Sequence, residues 1–297
     1  MATKKSVWKK PTKKDAKKQP ERSEQSLKVV KLRTLLKQSW LELSTFWRQL
    51  LGITAVYAFL YFVFVMGLSI TASFQNTIDT TASRFVQASS AFGDALANLY
   101  GGTQSDATVL VQVLLFLMAS LAIIWALRKL QALKKITIRD AYYQGNAQLL
   151  PVLLVSIMLV LTLLPAVLGS GLLSIALQAG GTGVEIILIG AISLLLLFCS
   201  AFLFTMLWPS FYIASLPKMR PIQSVRSAMV LTKKRRLAIM RKLLFLVLIS
   251  LLFLFVVMIP LALIAPVSAP YVAFAVLFLI FLYGQIYLYE LYRSLLP

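Results

Sequence analysis

Six long apolar stretches constrain the fold of this chain more than any other feature of its sequence. They lie at about 50–70, 107–127, 149–168, 184–207, 243–263 and 271–290. Each is close to the ~20 residues that a helix needs to cross the hydrocarbon core of a bilayer. A helix also satisfies its own backbone hydrogen bonds, which lipid cannot do. We therefore predict an all-α polytopic integral membrane protein with six transmembrane helices.

Composition argues against most kinds of soluble enzyme. The 297 residues are 59% apolar and 13% charged, whereas a soluble domain has about 45–50% and about 25%. The sequence has no histidine, which is the usual general base and the commonest metal ligand. Its one cysteine, Cys199, lies in "LLLLFCSAFLF", where we expect a buried, inert thiol. We predict no catalytic residue, no metal site and no cofactor.

Two polar segments precede the first span. Residues 1–27 form a Lys-rich tail with almost no apolar side chains to bury, so we expect it to be disordered. In residues 28–49, apolar side chains including Leu36, Trp40 and Trp47 recur at three- and four-residue spacing. This spacing predicts an amphipathic helix that lies along the membrane surface.

The cations are distributed very unevenly between the two sides of the six predicted spans. Residues 1–49, 128–148, 209–242 and Arg293 together hold 29 of the 30 lysines and arginines. Loops alternate between the two sides, so all four of these segments lie on the same side. Cytoplasmic loops carry the excess of Lys and Arg in membrane proteins. We therefore expect both termini to be cytoplasmic.

The loop 209–242 ends in the basic stretch "LTKKRRLAIMRKLL". Cations next to a span attract anionic headgroups, at about 1 kcal/mol per cation. We therefore predict contacts with anionic lipid from Lys233, Lys234, Arg235, Arg236, Arg241 and Lys242. Nucleic acid is the competing ligand, but sites for it interleave cations with aromatic side chains. This loop has aromatic residues only at its beginning, which disfavours that ligand.

Amphipathic cytoplasmic segments precede three pairs of spans, which allows a threefold repeat of helical hairpins. In the third segment, Ile222, Val225 and Met229 form an apolar stripe, and we expect an in-plane helix there. The segment 128–148 is built in the same way. On the opposite side, apolar residues in the outer loop 71–106 follow helical spacing. This loop is expected to lie on the outer face, and a lid over a substrate path is the alternative.

Polar side chains are scarce within the spans. Gln112 and Gln285 are expected to hydrogen-bond to neighbouring helices. Glu290 and Arg293 are three residues apart near the end of the last span, where they can form an ion pair on one helix face. An ion pair is the simpler role for Glu290, and a proton or ion relay is the alternative.

The segment "LWPSFYIASLPKMRPIQSVRSAMVLTKKRRLAIMRKLLFLVLISLLF" resembles the multi-pass membrane domains found beside bacterial glycerophosphodiester phosphodiesterases. It also resembles related uncharacterised bacterial six-helix membrane families. The pattern of Pro221, Ser227, Leu231 and Lys233 is similar, and the likeness covers about residues 115–293. The resemblance implies a bacterial inner-membrane protein. It carries over no catalytic residue, because the phosphodiesterase domain with its metal ligands has no counterpart here.

Together these features predict a non-enzymatic bacterial inner-membrane protein that acts as a scaffold or accessory subunit and binds lipid or an unidentified membrane-protein partner. The alternative is a transporter or channel for a small or lipidic solute. Residues 164–183 favour that alternative, because their glycines and Pro165 allow an interrupted or re-entrant segment.

Overall fold

The computed structural model describes residues 31–65, 106–132, 136–178, 183–217, 219–233, 235–264 and 269–296. In these residues the regular secondary structure is helical, with no strands. Six helical segments are long and apolar enough to cross a membrane. The prediction of an all-α polytopic membrane protein with six spans is therefore confirmed. The predicted tail 1–27 and the outer loop 71–106, apart from its last residue, lie outside the described residues.

Ten α-helices follow one another along this part of the chain. They are α1 (Leu32–Phe64), α2 (Asp106–Gln131), α3 (Ile138–Gly145), α4 (Leu149–Leu161), α5 (Leu164–Gln178), α6 (Gly183–Leu207), α7 (Pro209–Ala214), α8 (Pro221–Thr232), α9 (Arg236–Ile264) and α10 (Ala269–Arg293). A 3₁₀ turn, Asn146–Gln148, joins α3 to α4. The six membrane segments are α1, α2, the run from α3 to α5, α6 with α7, α9, and α10.

The first helix, α1, contains both the predicted surface helix and the first span. Phe46 has non-helical backbone angles (φ −114°, ψ 21°), and the helix bends there. We call residues 32–45 the N-terminal arm, and the membrane-spanning part of α1 follows the bend. The predicted apolar stripe is divided between two surfaces. Its leucines pack against the bundle, whereas Trp40 and Trp47 face outward.

The centre of the bundle is formed by α1, α2 and α10. Small and branched side chains of α2, from Ala119 to Leu127, are almost all buried there. Further along the same three helices, Tyr57 and Tyr61 of α1 pack against Phe274 and Phe278 of α10, with ring centroids 4.6–6.2 Å apart. Tilted and edge-to-face rings at this distance attract one another beyond the area they bury. These contacts hold the last span against the first.

The outer helices are far less covered. In the most apolar window of α6 only 6% of the residues are buried, against 50% in α2. The exposed side chains are large and apolar, which is the surface that a lipid-facing helix presents. Cys199 lies on this exposed surface of α6, so the prediction of a buried thiol is wrong. Cys199 is exposed because α6 packs against its neighbours along a narrow face only.

The third membrane segment is broken between α4 and α5, at Thr162 and Leu163. The Ser200 hydroxyl of α6 donates to the Thr162 carbonyl at 2.8 Å, and thus satisfies a backbone oxygen freed by the break. After the break α5 runs antiparallel to α6. A Cβ atom at Gly169 would lie only 3.2 Å from the Leu196 Cβ and from the Ser193 Cα, so this close packing favours glycine.

The in-plane helix predicted in the third basic loop corresponds to α8. Val225 is buried together with Ser224, Ala228 and Thr232, on the face that packs against the bundle. Ile222 and Met229 are exposed, with 63% and 38% of their surface accessible. The predicted stripe of Ile222, Val225 and Met229 is therefore divided as well. Small residues let α8 approach the bundle closely and leave the larger side chains outside.

Candidate functional site

Four helices bring polar side chains together at one end of the bundle. The arm of α1 contributes Glu42, α2 ends in Arg128 and Gln131, the turn after α7 contributes Ser215, and α10 ends near Arg293. The predicted basic segments 128–148 and 209–242 connect helices at this same end. We call it the basic end of the bundle.

Two carboxyl groups from different helices meet at the basic end. The Gln131 Nε2 atom donates to the Glu42 Oε1 atom and, at 2.9 Å, to the Glu290 Oε1 atom. One amide nitrogen therefore holds the carboxyl groups of Glu42 and Glu290 close together. We call these two residues the carboxyl pair. The Glu290 side chain is 8% exposed and that of Glu42 is 14% exposed, so little water reaches either of them.

One cation lies beside the carboxyl pair. The Arg293 Nη1 atom is 3.5 Å from the Glu290 Oε1 atom and 4.0 Å from the Glu42 Oε1 atom. The Arg293 side chain is 55% exposed, so water screens its charge. Burial and the neighbouring Glu290 carboxylate raise the pKa of Glu42 to about 7, against the Gln131 hydrogen bond and Arg293. The arm thus contributes a carboxyl group that titrates near neutral pH.

Arg128 binds backbone carbonyl groups at the same end. Its Nη1 atom donates to the Ser215 carbonyl at 2.9 Å, and its Nη2 atom donates to the Tyr212 carbonyl at 2.8 Å and to the Ser215 Oγ at 2.7 Å. These carbonyls lie at the carboxyl end of α7, which carries a partial negative charge. A guanidinium group there both satisfies the last carbonyls and locks α7 to α2.

Tyrosines join the two halves of this site into one network. The Tyr289 hydroxyl donates to the Gln131 Oε1 atom at 3.3 Å and interacts electrostatically with Arg128. The ring of Tyr212 stacks on that of Tyr292, with centroids 5.4 Å apart. The network therefore links the arm of α1 with α2, α7 and α10 through side-chain contacts alone.

The residues predicted to touch anionic lipid are spread over the connection from α8 to α9. Lys233 and Arg241 are exposed, and Arg235 and Arg236 are partly exposed. The Arg236 guanidinium lies 5.4 Å from the centroid of the Phe202 ring of α6. Lys242 is only 8% exposed, and its carbonyl accepts a hydrogen bond from the Tyr287 hydroxyl at 3.3 Å. Lys234 lies outside the described residues.

The polar residues predicted within the spans lie at different levels. Gln285 is buried, and its Nε2 atom is 3.3 Å from the Ser120 Oγ atom of α2. Gln112 lies further along α2 and is partly buried. Glu290 and Arg293 approach each other as the spacing on α10 suggested, but the structure adds Glu42 and Gln131 to them.

Sequence reasoning missed Glu42, Gln131 and Arg128. A signal for Glu42 was present, because Leu35, Ser39, Glu42 and Leu50 lie on one face of a helix at spacings of four, three and eight residues. Leu35, Ser39 and Leu50 are fully buried, and Glu42 shares their face. The role of Gln131 had no local signal, since both of its partners are distant in sequence.

The chemistry of this site is that of a hydrogen-bonded polar network. Within the described residues no group of three or more His, Cys, Asp or Glu side chains is placed to hold a metal ion. The chain matches no family model, no curated protein and no solved structure.

Proposed function

We propose that this chain is a non-enzymatic multi-pass protein of the bacterial inner membrane, with both termini in the cytoplasm. It serves as a scaffold or accessory subunit whose basic end binds anionic lipid headgroups, alone or together with a membrane-protein partner. The observation that carries this proposal is the outward position of cations and tryptophans around the basic end, outside the polar network of Glu42, Gln131 and Glu290.

The turn from α8 to α9 supports headgroup binding. Lys233 is exposed at the start of this turn, Arg241 is exposed in the second turn of α9, and Arg236 lies over the Phe202 ring. A cation held against an aromatic ring loses less conformational entropy when it binds a phosphate than a freely moving one does. Several cations in one turn, at about 1 kcal/mol each, give a preference for anionic lipid well above thermal energy.

The arm of α1 and the first residues after its bend support the same function. Trp40 of the arm is 66% exposed, and Trp47 after the bend is 50% exposed. The Arg48 guanidinium lies 5.5 Å from the Trp47 ring centroid. Exposed tryptophans beside cations are typical of helices at the headgroup level, where the ring enters the interface and the cation reaches phosphate. The arm therefore offers a second surface for the same leaflet.

The accessory role rests on the resemblance to membrane domains that lie beside bacterial glycerophosphodiester phosphodiesterases. Those domains accompany an enzyme and are distinct from its catalytic domain. This chain has no histidine and a single cysteine, so a hydrolytic site in which histidine activates the nucleophile cannot form from its residues. A protein partner would then supply any chemistry.

Lipid retention by the reconstituted full-length protein tests the proposal. The test variant changes Lys233, Lys234, Arg235 and Arg236 to Gln, and the control changes Lys13, Lys14, Lys17 and Lys18 to Gln, which removes the same charge from the tail. Native mass spectrometry across a titration of cardiolipin or phosphatidylglycerol measures retention. We expect the test variant to lose about tenfold or more in apparent affinity and the control to lose less.

The dependence on salt separates this binding from apolar contact with lipid. Exposed charges are screened beyond about 8 Å at physiological ionic strength, so the difference between the variants should shrink as salt rises. Equal retention by wild type, test variant and control at low salt would contradict the proposed lipid binding.

Transport of a small or lipidic solute is the second candidate, and the break between α4 and α5 favours it. Interrupted spans form the substrate sites of many transporters. The Ser200 hydroxyl donates to the freed Thr162 carbonyl at 2.8 Å, and a conducting path at the break requires that this hydrogen bond be broken. If the chain is a channel, Ser200→Ala should increase conductance across planar bilayers relative to wild type. No measurable conductance from either wild type or Ser200→Ala would argue against a channel.

A further inference from the structure

The arm of α1 is attached to the bundle through an unusual contact. Its apolar side chain Leu35 is buried against the bundle, and its one acidic side chain, Glu42, makes a polar connection to the bundle. The partner of Glu42 is another carboxyl group, Glu290 of α10, and both accept from the single Nε2 atom of Gln131.

The same Gln131 Nε2 atom donates to both carboxyl groups, and the same Arg293 Nη1 atom lies within 4.0 Å of both. Two ionised carboxylates held this close can only accept hydrogen bonds, and their like charges repel each other. The side chains of Glu42 and Glu290 are 14% and 8% exposed, so little water screens that repulsion. A shared proton removes one of the two charges and lets one carboxyl group donate to the other.

We propose that Glu42 and Glu290 share one proton, and that loss of this proton to water as the pH rises releases the arm of α1 from the bundle. The release separates two carboxylates that otherwise face each other. It also frees the face of the arm that carries Leu35 and Ser39, while the tryptophans of α1 remain available to the membrane. The arm is thus a pH-sensitive latch at the basic end.

The other charged and titratable groups around the pair set where this latch operates. From α10, Arg293 lies 3.5 Å from the Glu290 Oε1 atom and 4.0 Å from the Glu42 Oε1 atom, and its charge acts to lower the pKa of Glu42. From α2, Arg128 reaches the pair through Tyr289, whose hydroxyl donates to Gln131. From α3, Tyr142 donates to the Ile53 carbonyl and so contacts α1 beyond the bend.

The direction of the pH dependence follows from the two states of the arm. When the arm is docked, Glu42 has a pKa of about 7, and when it is released into water the pKa returns to the ordinary value of 4.5. The docked state therefore binds more protons between these values, and docking weakens as pH rises through this window. Below about pH 4.5 the stabilisation is complete, and above about pH 7 it is lost.

Cysteine accessibility in the full-length protein in nanodiscs measures the release. In a Cys199→Ser background, Ser39→Cys places a thiol on the buried face of the arm, and Ser44→Cys places one on its exposed face. The ratio of their labelling rates with a methanethiosulfonate reagent cancels the intrinsic pH dependence of thiols. We expect this ratio to rise about tenfold or more from pH 5 to pH 8.

Matched variants separate the latch from general loosening. Glu42→Gln and Glu290→Gln each remove one of the two charges, so the ratio should stay low and nearly constant with pH. Arg293→Gln removes the cation that favours ionisation and should move the midpoint to higher pH. A ratio that does not change with pH in wild type, or that rises equally in Glu42→Gln, would overturn the proposal.

A second measurement does not depend on the cysteine variants. Infrared difference spectra of protein labelled with ¹³C-glutamate report protonated carboxyl groups directly. At pH 6 we expect a protonated carboxyl band that disappears by pH 8 and is missing in Glu42→Gln. A wild-type protein with no such band at pH 6 would contradict the shared proton.

Discussion

The contacts of Arg128 in the structure differ from those that its position in the sequence suggests. In the sequence it is one of many cations that follow a span, and such cations usually reach headgroups. In the structure it is partly buried and binds the carbonyls of Tyr212 and Ser215. Its contribution is therefore to hold α7 against α2, and its loss leaves backbone oxygens without donors.

Replacing Arg128 by Met should lower the free energy of unfolding by about 1–3 kcal/mol, the cost of leaving buried acceptors unpaired. Met keeps much of the side-chain length and removes all donors. Thermal unfolding in a fixed detergent at constant pH measures the change. Arg226→Met, on the exposed face of α8, is the control and should have little effect. Equal destabilisation by the two changes would show that Arg128 acts only as a surface charge.

The role of Arg128 could not be predicted because it depends on α7, a helix of six residues. In the sequence, "WPSFYIAS" follows the fourth predicted span and begins the basic loop 209–242, and nothing in it marks a helix whose carboxyl end needs a donor. The local pairing of Glu290 with Arg293 was accessible, since residues three apart on a helix are neighbours. The partners Glu42 and Gln131 come from other helices and were not.

At the scale of the elements, the pairing of α5 with α6 is the clearest case of packing that sets helix position. The break at Thr162 and Leu163 redirects the chain, and Gly169 then lets α5 approach α6 closely. The glycines and Pro165 indicated that residues 164–183 could be interrupted. They did not indicate where the helix breaks or how α5 packs after the break. Hydropathy is nearly uniform through this region, and the Ser200 donor lies 38 residues away from Thr162.

Gly169→Leu should therefore destabilise the protein by about 1–3 kcal/mol, as expected for overpacking a close helix contact. Gly171→Leu is the matched control, because a Cβ at Gly171 meets no atom within 4 Å. Leu has the higher helix propensity, so the control should be neutral or slightly stabilising. Circular dichroism during heating compares the two. A lower unfolding temperature for Gly171→Leu than for Gly169→Leu would rule out this contact.

The structure has no boundary between helices where the sequence predicted one, between the surface helix and the first span. The arm and the first span form one helix with a bend at Phe46, because every residue from Leu32 to Phe64 tolerates helix and no proline interrupts it. Which faces of the arm and of α8 turn inward was decided by small or short side chains such as Ser39 and Ala228. A rule that places large apolar side chains inward fails at a membrane surface.

At the scale of the whole molecule, the number of spans was predictable because the bilayer sets a single length for each of them. The uneven cover of the bundle, with α2 half buried and α6 almost uncovered, was not, since lipid-facing and interior residues are equally apolar. The polar network, the exposed cations and the exposed tryptophans all lie at the basic end. Its orientation in the membrane therefore decides whether the proposed lipid binding is possible.

Labelling of single cysteines in intact bacterial cells tests that orientation most directly. In a Cys199→Ser background, Tyr143→Cys and Gln223→Cys report the basic end, where both native side chains are exposed. Ser90→Cys and Ser268→Cys lie in the loops that the sequence predicts on the opposite side. An impermeant maleimide should label Ser90→Cys and Ser268→Cys in intact cells, and Tyr143→Cys and Gln223→Cys only after permeabilisation. Labelling of the basic-end cysteines in intact cells, with the opposite pair protected, would contradict a cytoplasmic basic end.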